Sequence, residues 1–212
     1  MRRTLVLFIA GAVVVAGGLI GLSLYSARPQ KTEVIAVPAQ GTTKGSPAAP
    51  VTLMEFADFQ CPHCADFASG TLKRLEREYV ATGKVRVVFR QFPVLGQESV
   101  WAAIGAECAA RQGKFWAFHD LLFRVRRGVD AGAFLPARLL AYARELGLDQ
   151  EAFRACLQSG QVVEKIREDI QEGVKYGVEG TPSFVIGGRL IVGNQPYEVF
   201  KEAIEEALAQ AR

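Results

Sequence analysis

The sequence predicts an α/β protein in which a block of helices separates two strand-bearing halves, all behind an apolar N-terminal helix. Three observations lead there. Apolar runs of strand length at 51–56, 85–92, 183–186 and 190–192 alternate with stretches of helical spacing. The long stretch 97–172 keeps helical spacing throughout. Thr4 to Tyr25 carries no charge, and as a helix it would reach roughly 33 Å, the thickness of bilayer hydrocarbon. The expected organisation is 1–27 membrane anchor or signal peptide, 28–49 linker, 50–96 first α/β half, 97–172 helical insertion and 173–212 second half.

Arg2 and Arg3 precede the apolar segment, which favours an N-in orientation with the rest translocated. A cleaved signal peptide has a shorter apolar region and a small-residue site. Here Tyr25 stands at the minus-three position for cleavage after Ala27, so an uncleaved single-pass anchor is the preferred reading. Either alternative places the remainder outside the cytoplasm. Residues 28–49 are rich in Pro, Gly, Thr, Ala and Lys without a sustained period, as in a tether, and a sparse strand pattern at 33–37 is a candidate edge strand.

The first core strand is 51–56. Pro62 is suited to a first helical position, and Cys64, Phe67/Ala68, Thr71/Leu72, Leu75 and Tyr79 recur at helical spacing to about residue 81. Gly83 suits a helix end. The strand 85–92 ends at Pro93, and a strand–helix–strand unit of this kind requires a parallel pair with a right-handed crossover. Apolar stripes then mark successive helices: Trp101, Ile104/Gly105 and Cys108; Phe115, Phe118 and Leu121/Leu122; Leu139/Leu140, Tyr142/Ala143 and Leu146; Phe153, Cys156 and Leu157; Val162, Ile166 and Ile170. Gly187-Gly188-Arg189 joins two short strands as a hairpin, and a last helix from about Tyr197 carries Phe200, Ala203/Ile204 and Ala207/Leu208 on one face.

The 212 residues suffice for one domain with a real core plus an appendage. The formal net charge is +3 and no dense basic stretch suggests nucleic acid. The protein is read as a monomer. Of four cysteines, two stand three apart in Cys61-Pro62-His63-Cys64, directly after a strand and at a helix start. A helix N-terminus stabilises thiolate through free backbone N–H groups and the macrodipole, and an imidazole at His63 would add a positive charge. Both effects lower the Cys61 pKa and favour the dithiol over the disulfide, which makes the pair an oxidant. Haem attachment would need histidine where Ala65 stands. Structural zinc wants four ligands, and the chain has two histidines and no second close cysteine pair. No metal and no cofactor beyond the Cys61–Cys64 disulfide is expected.

The segment Met54-Glu55-Phe56-Ala57-Asp58-Phe59-Gln60-Cys61-Pro62-His63-Cys64 resembles the active-site segment of the DsbA family of thioredoxin-fold disulfide oxidoreductases. The resemblance extends from about Pro47 to Ala209 and includes Lys114-Phe115-Trp116-Ala117-Phe118-His119-Asp120 and Val178-Glu179-Gly180-Thr181-Pro182-Ser183-Phe184. It implies a thioredoxin fold with an inserted helical domain and a cis proline at Pro182. Thr181 and Pro182 would then leave backbone groups free for an extended substrate. The resemblance also implies reduced exported polypeptides as substrates and a quinone-linked membrane reoxidase of the DsbB or VKOR type. The residue before the proline varies in the family, so Thr181 leaves the balance between oxidase and isomerase open.

Glu55 is an acid within an apolar strand, and acids are seldom buried without cause. Its position resembles the family's proton-accepting acid that serves Cys64, and burial would raise its pKa; the alternative is an edge position facing water. Arg90 is a candidate partner for Glu55 or a solvated strand end. Asp58 reads as a loop residue and His119 as a structural histidine on an aromatic-rich helix. Cys108 and Cys156 remain. In an oxidising compartment an even count favours a structural disulfide, with two buried thiols as the alternative. A disulfide reductase or isomerase using the same cysteines is the competing activity, and a tethered binding module or holdase with incidental thiols the competing class.

Overall fold

The structure, a computed structural model, describes residues 37–211. The anchor or signal peptide expected at 1–27, and residues 33–36 of the sparse strand pattern, lie outside the described residues. Among the described residues no helix is long and apolar enough to cross a membrane.

Among the described residues six strands form one sheet in the order β1-β2-β4-β3-β5-β6. The central strands are β3, Val51–Ala57, and β4, Val85–Gln91, parallel to one another with Glu55 opposite Phe89 and Phe56 opposite Arg90. Both are rich in Val, Leu and Phe, as strands covered on both faces require. The hairpin β5, Ser183–Ile186, and β6, Arg189–Val192, joins antiparallel to β3. Its turn uses Gly187 and Gly188, both at positive φ.

The other edge departs from the sequence reading. Part of the stretch expected to be a linker forms two short strands, β1, Ala39–Gln40, and β2, Thr43–Lys44, with β2 antiparallel to β4. Two-residue strands are too short to show alternation, so composition alone made this stretch look like a tether.

The helix expected over 62–81 is also divided. It runs as α1, Pro62–Ser69, then α2, Thr71–Leu75, then a π-helical turn at Glu76–Val80. The break falls at Gly70, whose φ and ψ are −110° and −86°, and glycine is a common cause of such kinks. Five helices then form the insertion: α3, Gln97–Ala110; α4, Phe115–Val125; α5, Pro136–Glu145; α6, Gln150–Ser159; and α7, Val163–Lys175. The last helix is α8, Tyr197–Gln210.

Alternation along β3 divides the interior. Val51, Leu53 and Ala57 enter the main core with Cys61, Cys64, Phe67, Phe89, Phe184 and Phe200. Phe56 points to the opposite face, into a smaller cluster with Phe92, Val178 and Val185. There α7 comes so close that a Cβ at Gly173 would lie 2.9 Å from Phe92 and 3.0 Å from Phe56. Within the insertion Cys108 of α3 and Cys156 of α6 form a disulfide with Cα atoms 5.8 Å apart.

Candidate active site

β3 delivers the chain at Ala57 to a short loop, and the loop is held by a buried carboxylate. Asp58 Oδ1 accepts hydrogen bonds from the Gln60 N–H at 2.8 Å and the Ser99 hydroxyl at 2.7 Å. Asp58 Oδ2 accepts from the Val94 and Leu95 N–H groups at 2.8 and 3.0 Å. Gln60 is buried too. Its Nε2 donates to Ser99 Oγ at 2.9 Å and Asp130 Oδ1 at 3.2 Å, and its Oε1 accepts from the Asp130 N–H at 2.5 Å. The residue before Cys61 is therefore fastened to the insertion. Asp58 has a larger part than a loop residue, and Gln60, Ser99 and Asp130 carried no sequence signal because their partners lie 39 to 70 residues away.

Cys61 caps α1 with extended backbone, φ −71° and ψ 123°, and Pro62 begins the helix. Proline suits that place because a first-turn N–H has no helical partner. Cys61 and Cys64 are both thiols and both buried. The Cys61 pKa is lowered to about 6: the Cys64 thiol donates to its sulfur, burial opposes, and the backbone N–H groups of Cys64 and His63 and the Thr181 side chain assist. Burial first, and then the neighbouring Cys61, push the Cys64 thiol far up. The pair is thus divided into one sulfur that ionises readily and one that holds its proton.

His63, expected to add an imidazole charge, turns its side chain outward. Its side chain is 71% exposed, with Nδ1 3.9 Å from the Asp66 carboxylate, and it reaches the Cys61 sulfur with its backbone N–H. Opposite Cys61 lies Thr181, whose carbonyl accepts from the thiol at 3.4 Å. The Thr181–Pro182 peptide is cis.

Glu55 is fully buried and neither carboxylate oxygen has a hydrogen-bond partner. Burial, above all, raises its pKa to about 8; Lys44 works against this, and Cys61 and Glu76 add to it. Its partner is not Arg90. Arg90 stands opposite Phe56, hence on the other face of the sheet, and its Nε donates to Glu172 at 2.6 Å with Asp169 at 3.4 Å. His119 is buried among Phe59, Phe89, Trp116 and Phe123. Its Nδ1 lies 2.8 Å from Asp120, and burial lowers its pKa. Among the described residues no cluster of three His, Cys, Asp or Glu side chains is placed to hold a metal ion.

A buried cysteine pair of opposite acidity, at a helix start and against a cis proline, is suited to exchanging a disulfide with another dithiol. The family model described as thioredoxin matches residues 39–206. The chain belongs to the thioredoxin family. Among thioredoxin-fold relatives, it is 30% identical to the probable disulfide bond formation protein D of Bacillus anthracis over 96% of this chain and 94% of that protein. The crystal structure of oxidised BdbD from Bacillus subtilis matches with a TM-score of 0.74 and 25% identity, covering 82% of this chain and 98% of that one. A thioredoxin-like oxidoreductase from Silicibacter pomeroyi matches with a TM-score of 0.68 and 33% identity, covering 78% and 90%. The protein is a thiol–disulfide oxidoreductase of the DsbA-like kind. Its thioredoxin fold is completed by β5, β6 and α8, with the insertion 97–175 placed between β4 and β5.

Proposed function

We propose that this oxidoreductase introduces disulfide bonds into exported polypeptides, with Cys61-Pro62-His63-Cys64 as its redox centre. A substrate thiolate attacks Cys61 Sγ of the oxidised enzyme. The Cys61–Cys64 bond breaks, and its electron pair stays on Cys64, which takes a proton from the Glu55 carboxyl. A second substrate thiolate then attacks the substrate sulfur of the mixed disulfide and releases Cys61 as a thiolate. The substrate loses two electrons to become a disulfide, and the enzyme leaves with a Cys61 thiolate and a Cys64 thiol. Thr181 and Pro182 border Cys61 and are the proposed contact for the substrate backbone.

The observation that carries this reading is the division between the two sulfurs. Cys61 sits at the helix terminus against Thr181, and Cys64 lies fully buried behind it. A dithiol whose reduced form is stabilised in this way favours taking electrons from substrates. Regeneration requires a membrane reoxidase, here a quinone-linked protein of the DsbB or VKOR type. Residues 1–27 serve as a single-pass anchor that holds the catalytic domain outside the cytoplasm.

The deciding measurement is the reduction potential of the Cys61/Cys64 pair against glutathione, with a Cys108→Ala/Cys156→Ala sample in parallel. A value well above the roughly −230 mV of glutaredoxins supports the oxidase. A value near about −270 mV makes the protein a reductase fed by an electron donor. Full function after Cys61→Ser and Cys64→Ser would leave only a binding module.

A further inference from the structure

The acid beneath the cysteines lies beside an array of charges that the exchange scheme above leaves unused. Residues directly opposite on paired strands point to the same side of a sheet. Lys44 of β2 stands opposite Val87 of β4, and Val87 opposite Leu53 of β3. Glu55 follows Leu53 by two, so Lys44 and Glu55 share the face of the main core, diagonally across β4. Lys44 is only 8% exposed. Its Nζ lies 2.5 Å from Glu76 Oε1 and 4.1 Å from the centre of the Trp116 ring.

The array continues outward. Glu76 Oε2 lies 3.7 Å from Lys73 Nζ, and Lys73 Nζ lies 3.1 Å from Asp120 Oδ2. Lys73 and Asp120 line a cavity of about 390 Å³ between α1 and α4, with their side chains 34% and 45% exposed. Charges therefore alternate from the solvent side to Lys44, and the buried lysine ends the series on the face that holds the unpartnered carboxyl. A lysine is seldom so enclosed unless it is paired.

We propose that Lys44 is a positioning residue for the thiol–disulfide exchange: its ammonium, held by Glu76 and Trp116, balances the carboxylate formed at Glu55 when the Glu55 proton passes to Cys64. The inference rests on the reading of Glu55 as proton donor. Negative charge moves in that step from the Cys64 sulfur to the Glu55 carboxylate, and no electrons are transferred beyond those of the broken disulfide. An uncompensated carboxylate in an apolar core is costly. The groups acting on Glu55 are Cys61 and Cys64 from α1, Glu76 from the π-helical turn and Lys44 from β2. From α4, His119 is disfavoured in its charged form by burial. Of these named groups Lys44 is the cation, and it favours the ionised acid.

The test uses the full chain with Lys44→Met, Lys44→Arg and, as reference, Glu55→Gln. The Glu55 carboxyl is titrated by infrared difference spectroscopy, assigned by the band lost in Glu55→Gln. The rate at which dithiothreitol reduces the Cys61–Cys64 disulfide is followed against pH. In Lys44→Met the Glu55 titration moves up by about one pH unit or more, and below that titration reduction slows, by at most about tenfold per unit moved; Lys44→Arg restores both. If Lys44→Met leaves both where the parent has them while Glu55→Gln changes the pH–rate profile, the inference is wrong and the reading of Glu55 stands. If Glu55→Gln leaves the profile unchanged, that reading fails and the inference with it. Glu76→Gln keeps the lysine and covers the case in which Lys44→Met does not fold. It lowers the Glu55 titration by freeing the ammonium and removing a like charge, and an unchanged or raised titration overturns the inference.

Discussion

Replacing Glu55 by glutamine should stabilise the reduced protein, and by an amount that grows with pH. The glutamine has nearly the same shape and no ionisation. In the folded protein burial holds the Glu55 pKa at about 8 against an ordinary 4.5, so over most of the interval between these values the folded state keeps a proton that the unfolded chain has lost. Folding stability therefore falls as pH rises through that window. From the two pKa values, the penalty at pH 5 is about 1 kcal/mol and at pH 7 about 3 kcal/mol. The difference in unfolding free energy between Glu55→Gln and the parent should thus widen by about 2–3 kcal/mol from pH 5 to pH 7. Urea denaturation of both proteins under dithiothreitol at the two pH values measures it. Titration of Cys61, whose pKa is shifted the other way, is common to both proteins and largely cancels. A difference that stays constant, or narrows with pH, would show that Glu55 ionises normally in the fold and would remove the argument for its role.

Two further outcomes follow from the cysteines. The rate of Cys61 alkylation by iodoacetamide should reach half its plateau near pH 6, as the lowered pKa dictates. It should shift upward in Cys64→Ala, because the Cys64 thiol is the leading stabiliser of the thiolate; an unchanged midpoint would assign that role to the backbone N–H groups instead. Removing the Cys108–Cys156 disulfide, which spans 48 residues, should lower the unfolding free energy by about 4 kcal/mol through the chain-entropy of the unfolded state. Paired urea curves of the parent and the double alanine variant check this, with the cysteine pair at 61 and 64 reduced in both.

The frame of the molecule could be read from the chain because its signals are local. Apolar runs mark β3, β4 and β5, Pro62 marks the start of α1, and Gly187-Gly188 marks the hairpin turn. The redox pair needed only its own spacing and its place at a helix start. What escaped depends on long-range geometry. Lys44 reaches the core from a two-residue strand whose identity comes from pairing with β4, and no periodicity exists over so short a span. Gln60 and Asp130 meet across 70 residues. The partner of Arg90 turned on strand register, which places it opposite Phe56 rather than Glu55. The direction of the His63 side chain depends on how the first turn of α1 is exposed, and a motif spelled in letters does not state that.

The two-sided character of β3 has a consequence for how this chain can change over generations. Glu55 and Phe56 are neighbours in sequence and serve opposite layers, the acid below the cysteines and the ring against α7. One residue gained or lost within the strand would exchange them, putting a carboxylate among Phe92, Val178 and Val185 and a phenyl ring beneath Cys64. Within β3, up to Ala57, the chain is therefore governed by parity, and the loop from there to Cys61 by the bonds that Asp58 and Gln60 make. Substitution in the strand trades one side chain for another, whereas an insertion or deletion there rewrites both layers at once. The exposed turn at 159–161, remote from the redox pair, has no such rule, and drift in length should gather at sites of that kind and spare the segment between the acid and the thiol.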